Sequence, residues 1–119
     1  MNIGYIRNSR SIQENSITTQ TELINEFCLR NDILLDEIIV DEGISGSGEK
    51  THKRNGYNRI IELIENGEVE SLVVISLSRW GRNLGEIYKS VEIMEKHHTK
   101  FYSIKENVDT SSIYGKFTI

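Results

Sequence analysis

The chain of 119 residues has no proline and one cysteine, Cys28. A lone cysteine has no partner within the chain, which excludes a disulfide framework and suits a reducing compartment. No stretch approaches the roughly eighteen apolar residues of a membrane-spanning helix. Asn2 follows Met1 without the charged and apolar regions of an export signal, so the sequence reads as cytoplasmic, with no membrane partner. An excess of positive charge is missing too: 14 Lys and Arg against 18 Asp and Glu leave a formal charge of -4 and a pI of about 5.4. A surface that grips nucleic acid everywhere is thereby excluded, and any such contact falls to a local cluster of arginines or to residues beyond this chain. Neither His97 nor His98 has a Cys, Asp or second His at ligand spacing, and His52 lies in a polar loop, so no metal site is expected. The glycines of 43–48 lack the Gly-Lys-Ser/Thr ending of a nucleotide-binding loop.

What is present is the composition of a folded domain, 37% hydrophobic and 27% charged, long enough for one core and too short for two. No internal repeat or low-complexity linker divides it. A first strand with Ile3, Tyr5 and Ile6 ends in Arg7-Asn8-Ser9, and a polar loop follows to Asn15. Ser16 is a good N-cap for a helix running to about Asn31, with Ile17, Gln20, Ile24, Phe27 and Cys28 on one side. Gln20 therefore points its amide toward the tip of the first strand. Ile33 to Val40 reads as a second strand, followed by a long polar loop from Asp41 through Ser45 to Arg54, of a length that is usually functional or disordered.

Tyr57, Ile60, Ile61 and Ile64 follow the i, i+3, i+4, i+7 spacing of an amphipathic helix, closed by Gly67 where a left-handed cap is expected. The run Ser71 to Leu77, with Leu72-Val73-Val74-Ile75 at its centre, has the continuous apolar character of a strand buried on both faces. A further helix is marked by Leu84, Ile87, Tyr88, Val91 and Met94, with Lys96-His97-His98 at its end, and a fourth strand by Phe101 to Ile104. Strands alternating with helices imply right-handed crossovers and an α/β fold with a mostly parallel sheet of at least four strands.

In such sheets ligands collect at the carboxyl ends of strands, and there the chain carries its chemistry. Arg7 and Ser9 leave the first strand together, which suits a phosphate. Arg79 and Arg82, three residues apart after the third strand, project from one side of a helical turn and offer two guanidinium forks to one anion. The competing reading makes them solvated charges or partners of Asp41 and Glu42.

Taken in order, these motifs resemble the catalytic domain of serine site-specific recombinases, the resolvase and invertase group. The resemblance rests on Tyr5-Ile6-Arg7-Asn8-Ser9, Ser16-Ile17-Thr18-Thr19-Gln20, Asp41 through Ser45-Gly46, Arg54-Asn55-Gly56-Tyr57, Leu77-Ser78-Arg79-Trp80-Gly81-Arg82-Asn83, and Asp109-Thr110 followed by Gly115-Lys116. It implies a three-layer fold in which Ser9 attacks a phosphodiester of double-stranded DNA and holds the 5′-phosphate as a phosphoserine ester. Arg7, Arg79 and Arg82 are the implied catalytic cations, and Tyr5, Gln20, Asp41, Ser45 and Arg54 the supporting and phosphate-binding residues. It implies no metal and no cofactor, and a full-length protein that acts as a homodimer assembling into a tetramer.

Phosphoryl transfer spreads negative charge over equatorial oxygens, and arginines meet that charge with planar forks that stay protonated. One feature sets the chain apart. Ser78 stands where the family usually carries an Asp, which keeps open the alternative of a non-catalytic regulatory domain with the same fold. A receiver-like signalling domain is disfavoured, since it would want acidic residues where Arg7 and Ser9 stand. Residues 1–109 read as the catalytic domain, and 110–119, with Ile113 and Phe117 at i, i+4, as the start of a truncated dimerisation and DNA-contacting helix.

Overall fold

The computed structural model describes residues 1–8, 16–42 and 54–110. Five strands and four helices follow one another within them: β1 (Asn2–Asn8), α1 (Ile17–Arg30), β2 (Glu37–Glu42), α2 (Asn55–Glu65), β3 (Ser71–Val74), α3 (Leu77–Trp80), α4 (Leu84–Lys96), β4 (Lys100–Ser103) and β5 (Val108–Asp109). The strands form one sheet in the order β2-β1-β3-β4-β5, parallel except for the antiparallel β5. The chain leaves β1 to one side for β2 and returns to the other for β3. A doubly wound sheet of this order has its switch point between β1 and β3, where a crevice opens at the carboxyl ends.

Strand alternation sorts the core into two halves. Ile3, Tyr5, Ile39, Leu72, Val74 and Phe101 meet Ile60 and Ile64 of α2, Trp80 of α3 and Ile87 and Met94 of α4. Ile6, Ile38, Val73 and Tyr102 point the other way, onto Ile24 and Cys28 of α1. The result is three layers, with α1 on one face and the other helices on the opposite one. Pairing of Tyr5 with Ile39 and of Arg7 with Asp41 then puts the polar ends of β1 and β2 on the α2 side.

Local signals account for most element ends. The Ser16 hydroxyl accepts the Thr19 N–H at 3.2 Å and starts α1. Gly67 at φ 74 closes α2, with its N–H on the Ile64 carbonyl and the Glu68 N–H on that of Leu63. Other boundaries differ from the sequence reading. β2 begins at Glu37 rather than Ile33, and runs through Asp41 and Glu42, residues expected to open the loop. Residues 31–36 are spent on ending α1, with Asp32 at φ 56 and the Ile33 N–H on the Cys28 carbonyl, and on docking Asp36 to Asn2. β1 offers no backbone to pair with before that point. β3 stops at Val74 instead of Leu77, because the Ser76 hydroxyl accepts the Arg79 N–H and starts the single turn of α3. The fifth strand escapes a pattern search because two residues hold no period.

Gly56 shows how tightly α2 docks on β2. A methyl group there would lie 2.7 Å from Ile39 Cγ2 and 2.8 Å from Asp41 Oδ1. The expected helix at 110–119 lies, from residue 111 on, outside the described residues. Gly56→Ala is expected to destabilise the fold by about 1–3 kcal/mol through overpacking, read as a lower urea midpoint; an unchanged midpoint would contradict this close approach.

Candidate active site

The carboxyl ends of β1 and β3 gather four arginines, and each is held by something specific. Arg7, the penultimate residue of β1, is 8% exposed and donates from Nε to the Arg79 carbonyl at 3.3 Å and from Nη2 to the Ser78 carbonyl. Arg79 answers by donating from Nη1 to the Arg7 carbonyl at 3.2 Å. The two side chains thus clasp each other's backbone across the switch point, satisfying carbonyls that the strand and the short helix leave open. Burial, with the Arg54 and Arg79 charges added, lowers the Arg7 pKa below its usual value, against the pull of Tyr5.

Trp80 fixes the angle of α3. It is fully buried, donates from Nε1 to the Ser90 hydroxyl at 2.8 Å, and meets Tyr5 edge-on with ring centres 5.3 Å apart and Tyr57 at 4.4 Å. Aromatic pairs of this kind contribute about 0.5–1.5 kcal/mol each beyond the area they bury. Trp80 is the one tryptophan of the chain, and its place in the Leu77–Asn83 motif alone does not show this role.

A second helix end is organised by Asp41. Its Oδ1 accepts the Gly56 N–H at 2.7 Å, and its Oδ2 accepts the Tyr57 N–H at 2.9 Å and the Tyr5 hydroxyl at 2.7 Å. A carboxylate from β2 therefore caps the first turn of α2, where the helix dipole favours negative charge. Burial first, and then the hydrogen bond to Asp41, raise the Tyr5 pKa far above its ordinary value. The phenol is a fixed donor. Neither Arg79 nor Arg82 pairs with Asp41, whose two oxygens are taken up this way.

Arg54 and Arg82 share Glu86. Arg54 is 1% exposed, with Nη1 2.9 Å from Glu86 Oε1, Nη2 2.6 Å from the Trp80 carbonyl, and its guanidinium 4.0 Å above the Tyr57 ring centre. Burial opposes its charge, but the Glu86 hydrogen bond and the negative charge beside it raise its pKa overall. Tyr57 is pushed up to about 12, by burial and then by Glu86. Arg82 donates its N–H to Glu86 Oε1 at 2.9 Å and has Nε 3.7 Å from Oε2. For Glu86 itself burial works against ionisation, and the bonds from Arg54 and from the Arg82 backbone outweigh it, so its pKa is lowered.

One expectation fails in detail. Arg79 and Arg82 do not share a helical turn, because α3 ends at Trp80 and Gly81 is extended, at φ -112 and ψ 153. Arg82 belongs to the link into α4 and is placed by Glu86 instead. Glu86 was missed by the sequence reading, yet a signal exists: Asn83 caps α4, accepting the Glu86 N–H at 2.8 Å, and Asn-x-x-Glu is a capping-box spacing. Gln20 is buried in α1, one turn before Ile24, and so sits on the other face of the sheet from Tyr5, Arg7 and Asp41. Ser9 and Ser45 lie outside the described residues. Ser78 is exposed, and it is its carbonyl that receives Arg7, while its hydroxyl lies 3.2 Å from that of Ser76. Among the described residues no His, Cys, Asp and Glu group could hold a metal ion, and no helix is long and apolar enough to cross a membrane.

Because the Glu86 carboxyl titrates below its usual value of 4.5 in the folded chain, its stabilising effect is complete above that value and is lost as pH falls through the lowered one. Melting temperatures followed from about pH 6 to pH 3 are expected to fall less steeply in Glu86→Gln than in the wild type; parallel curves would show that Glu86 has no such linkage.

The resolvase N-terminal domain family matches residues 2–119. The chain is 31% identical over 118 residues to the DNA-invertase BinR of transposon Tn552 from Staphylococcus aureus, covering 98% of this chain and 54% of that protein. It is 30% identical over 115 residues to the DNA-invertase Hin of Salmonella typhimurium, covering 97% and 53%. It thus spans about half the length of these curated relatives. Among solved structures, the N-terminal catalytic domain of TP901-1 integrase superposes with a TM-score of 0.81 at 25% identity, over 98% of this chain and 86% of that one. A resolvase-family site-specific recombinase from Streptococcus pneumoniae superposes at 0.77 and 26% identity, over 92% and 75%. The chain belongs to the resolvase family and is a resolvase-type catalytic domain of the serine recombinases.

Proposed function

We propose that the protein carrying this domain cleaves and rejoins double-stranded DNA, with Ser9 as nucleophile and Arg7, Arg79 and Arg82 as the cations around the scissile phosphate. The observation that supports this most is the clasp of Arg7 and Arg79 at the β1/β3 switch point, one residue before β1 ends at Asn8 and two before Ser9 in the chain. The Ser9 oxygen bonds to phosphorus, the bond from phosphorus to the 3′ oxygen breaks, and the proton released by the hydroxyl is balanced by the one the 3′ oxygen gains. Fixed cations stabilise the charge on the phosphoryl oxygens, so the step uses no metal and no cofactor. The ester keeps the bond energy for rejoining.

Tyr5, Gln20, Asp41, Ser45 and Arg54 support the site in this reading, and the contacts of Tyr5, Asp41 and Arg54 give three of them a means. Tyr5 and Asp41 set the start of α2, and Arg54 braces the link between α3 and α4. At Ser78 a backbone carbonyl, common to every residue type, is what holds Arg7, so this contact does not require the family's Asp. Residues 1–109 form the catalytic unit, 110–119 start the dimer and DNA-contacting helix, and the full-length protein works in the cytoplasm as a homodimer that assembles into a tetramer.

The test is the full-length protein incubated with supercoiled plasmid bearing the DNA that flanks its own gene. Covalent protein-DNA adducts joined at 5′ ends are expected, absent from Ser9→Ala and unaffected by a chelator, with Arg79→Ala or Arg82→Ala slowing their formation by about 10²–10³-fold. Adducts that survive Ser9→Ala, or wild-type protein that forms none, would overturn the reading and favour a non-catalytic domain of the same fold.

A further inference from the structure

We infer that Glu86, which carries no part of the proposed phosphate contact, is a positioning residue for the strand-cleavage step, acting through Arg82 and Arg54; the inference rests on the function proposed above. Three observations carry it. Glu86 Oε1 accepts two hydrogen bonds at 2.9 Å, from the Arg82 backbone N–H and from Arg54 Nη1, so one carboxylate oxygen ties the link after α3 to the start of α2. In an ordinary capping box the glutamate reaches back to the N–H of the cap residue, here Asn83. Glu86 instead takes the N–H one residue earlier and so spends its carboxylate on fixing Arg82. Its Oε2 lies 3.7 Å from Arg82 Nε, which leaves the Arg82 fork steered and not consumed by a close bidentate pair.

The two cations play unequal parts. The Arg54 side chain is 1% exposed and engaged by Glu86, the Trp80 carbonyl and the Tyr57 ring, so it works as a brace. The Arg82 side chain is 20% exposed and is the one of the two that an incoming phosphate can reach. Glu86 also answers the charge of both when no phosphate is present, which lets the arginine end of the sheet assemble before substrate arrives. Displacing a reacting group by about 1 Å costs about 10²-fold in rate, so loss of this tether is felt in the chemical step.

Adduct formation in the plasmid assay, measured in a single turnover at saturating DNA, reads the effect. Glu86→Ala removes the oxygen that accepts the two hydrogen bonds, along with the charge. It is expected to form adducts about 10²-fold more slowly while binding DNA no more weakly than the wild type, since a negative charge has been removed beside the phosphate. Combined with Arg82→Ala, it is expected to add little further loss, because both changes act through one side chain. Where Glu86→Ala does not fold, Glu86→Asp, which keeps the charge on a stem too short to hold both hydrogen bonds, is read in the same cycle with Arg82→Ala. Wild-type rates in the Glu86 variants, or losses that multiply in full with that of Arg82→Ala, would overturn the inference while leaving Ser9-dependent adducts intact. Absence of Ser9-dependent adducts from the wild type would overturn both.

Discussion

Four guanidinium groups cannot share one end of a small sheet unless something other than bulk water answers their charge. Here the answer comes from one carboxylate and a set of backbone carbonyls. Glu86 takes Arg54 and the Arg82 backbone, the carbonyls of Ser78, Arg79 and Trp80 take Arg7 and Arg54, and the Arg7 carbonyl takes Arg79. Asp41, next to Arg7 in the sheet register, is committed to Tyr5 and to the first turn of α2. The cations are thereby fixed without being neutralised one for one. A site that must meet the spread charge of a phosphoryl transition state gains from such preorganisation, because little has to move when the charge develops.

The topology puts this cluster where it is. A sheet ordered β2-β1-β3-β4-β5 changes winding direction between β1 and β3, and the crevice there is the natural place for a ligand. Arg7 arrives from one strand and Arg79 from the turn after the other. Trp80, buried among Tyr5, Tyr57 and Phe101, converts a one-turn helix that would not hold on its own into a rigid mount for the arginine before it.

Much of this was legible in the sequence. Spacing of apolar residues gave α1, α2 and α4, the Ser16 and Gly67 caps fell where their chemistry demands, and of the two strands carrying Tyr5 and Val74 the second also reads as buried on both faces. The motifs around Arg7 and Arg79 identified the arginine end of the sheet. What escaped was whatever depends on contacts between distant residues. The start of β2 is decided by where β1 offers backbone, not by the run Ile33-Leu34-Leu35. Arg79 and Arg82 looked like neighbours on one helical turn, because no local signal showed that Ser76 and Trp80 would limit α3 to four residues. The Asn83-x-x-Glu86 spacing marks Glu86 only as a residue of a helix start, and its tie to Arg54, 32 residues earlier, depends on the fold.

The central claim is that these prearranged cations face a single phosphate. It is tested most directly by a structure of the full-length Ser9→Ala protein bound to duplex DNA. The account predicts one backbone phosphate with oxygens about 3 Å from guanidinium nitrogens of both Arg79 and Arg82, with Arg54 still on Glu86. DNA bound elsewhere, with Arg79 and Arg82 contacting no phosphate, would contradict it.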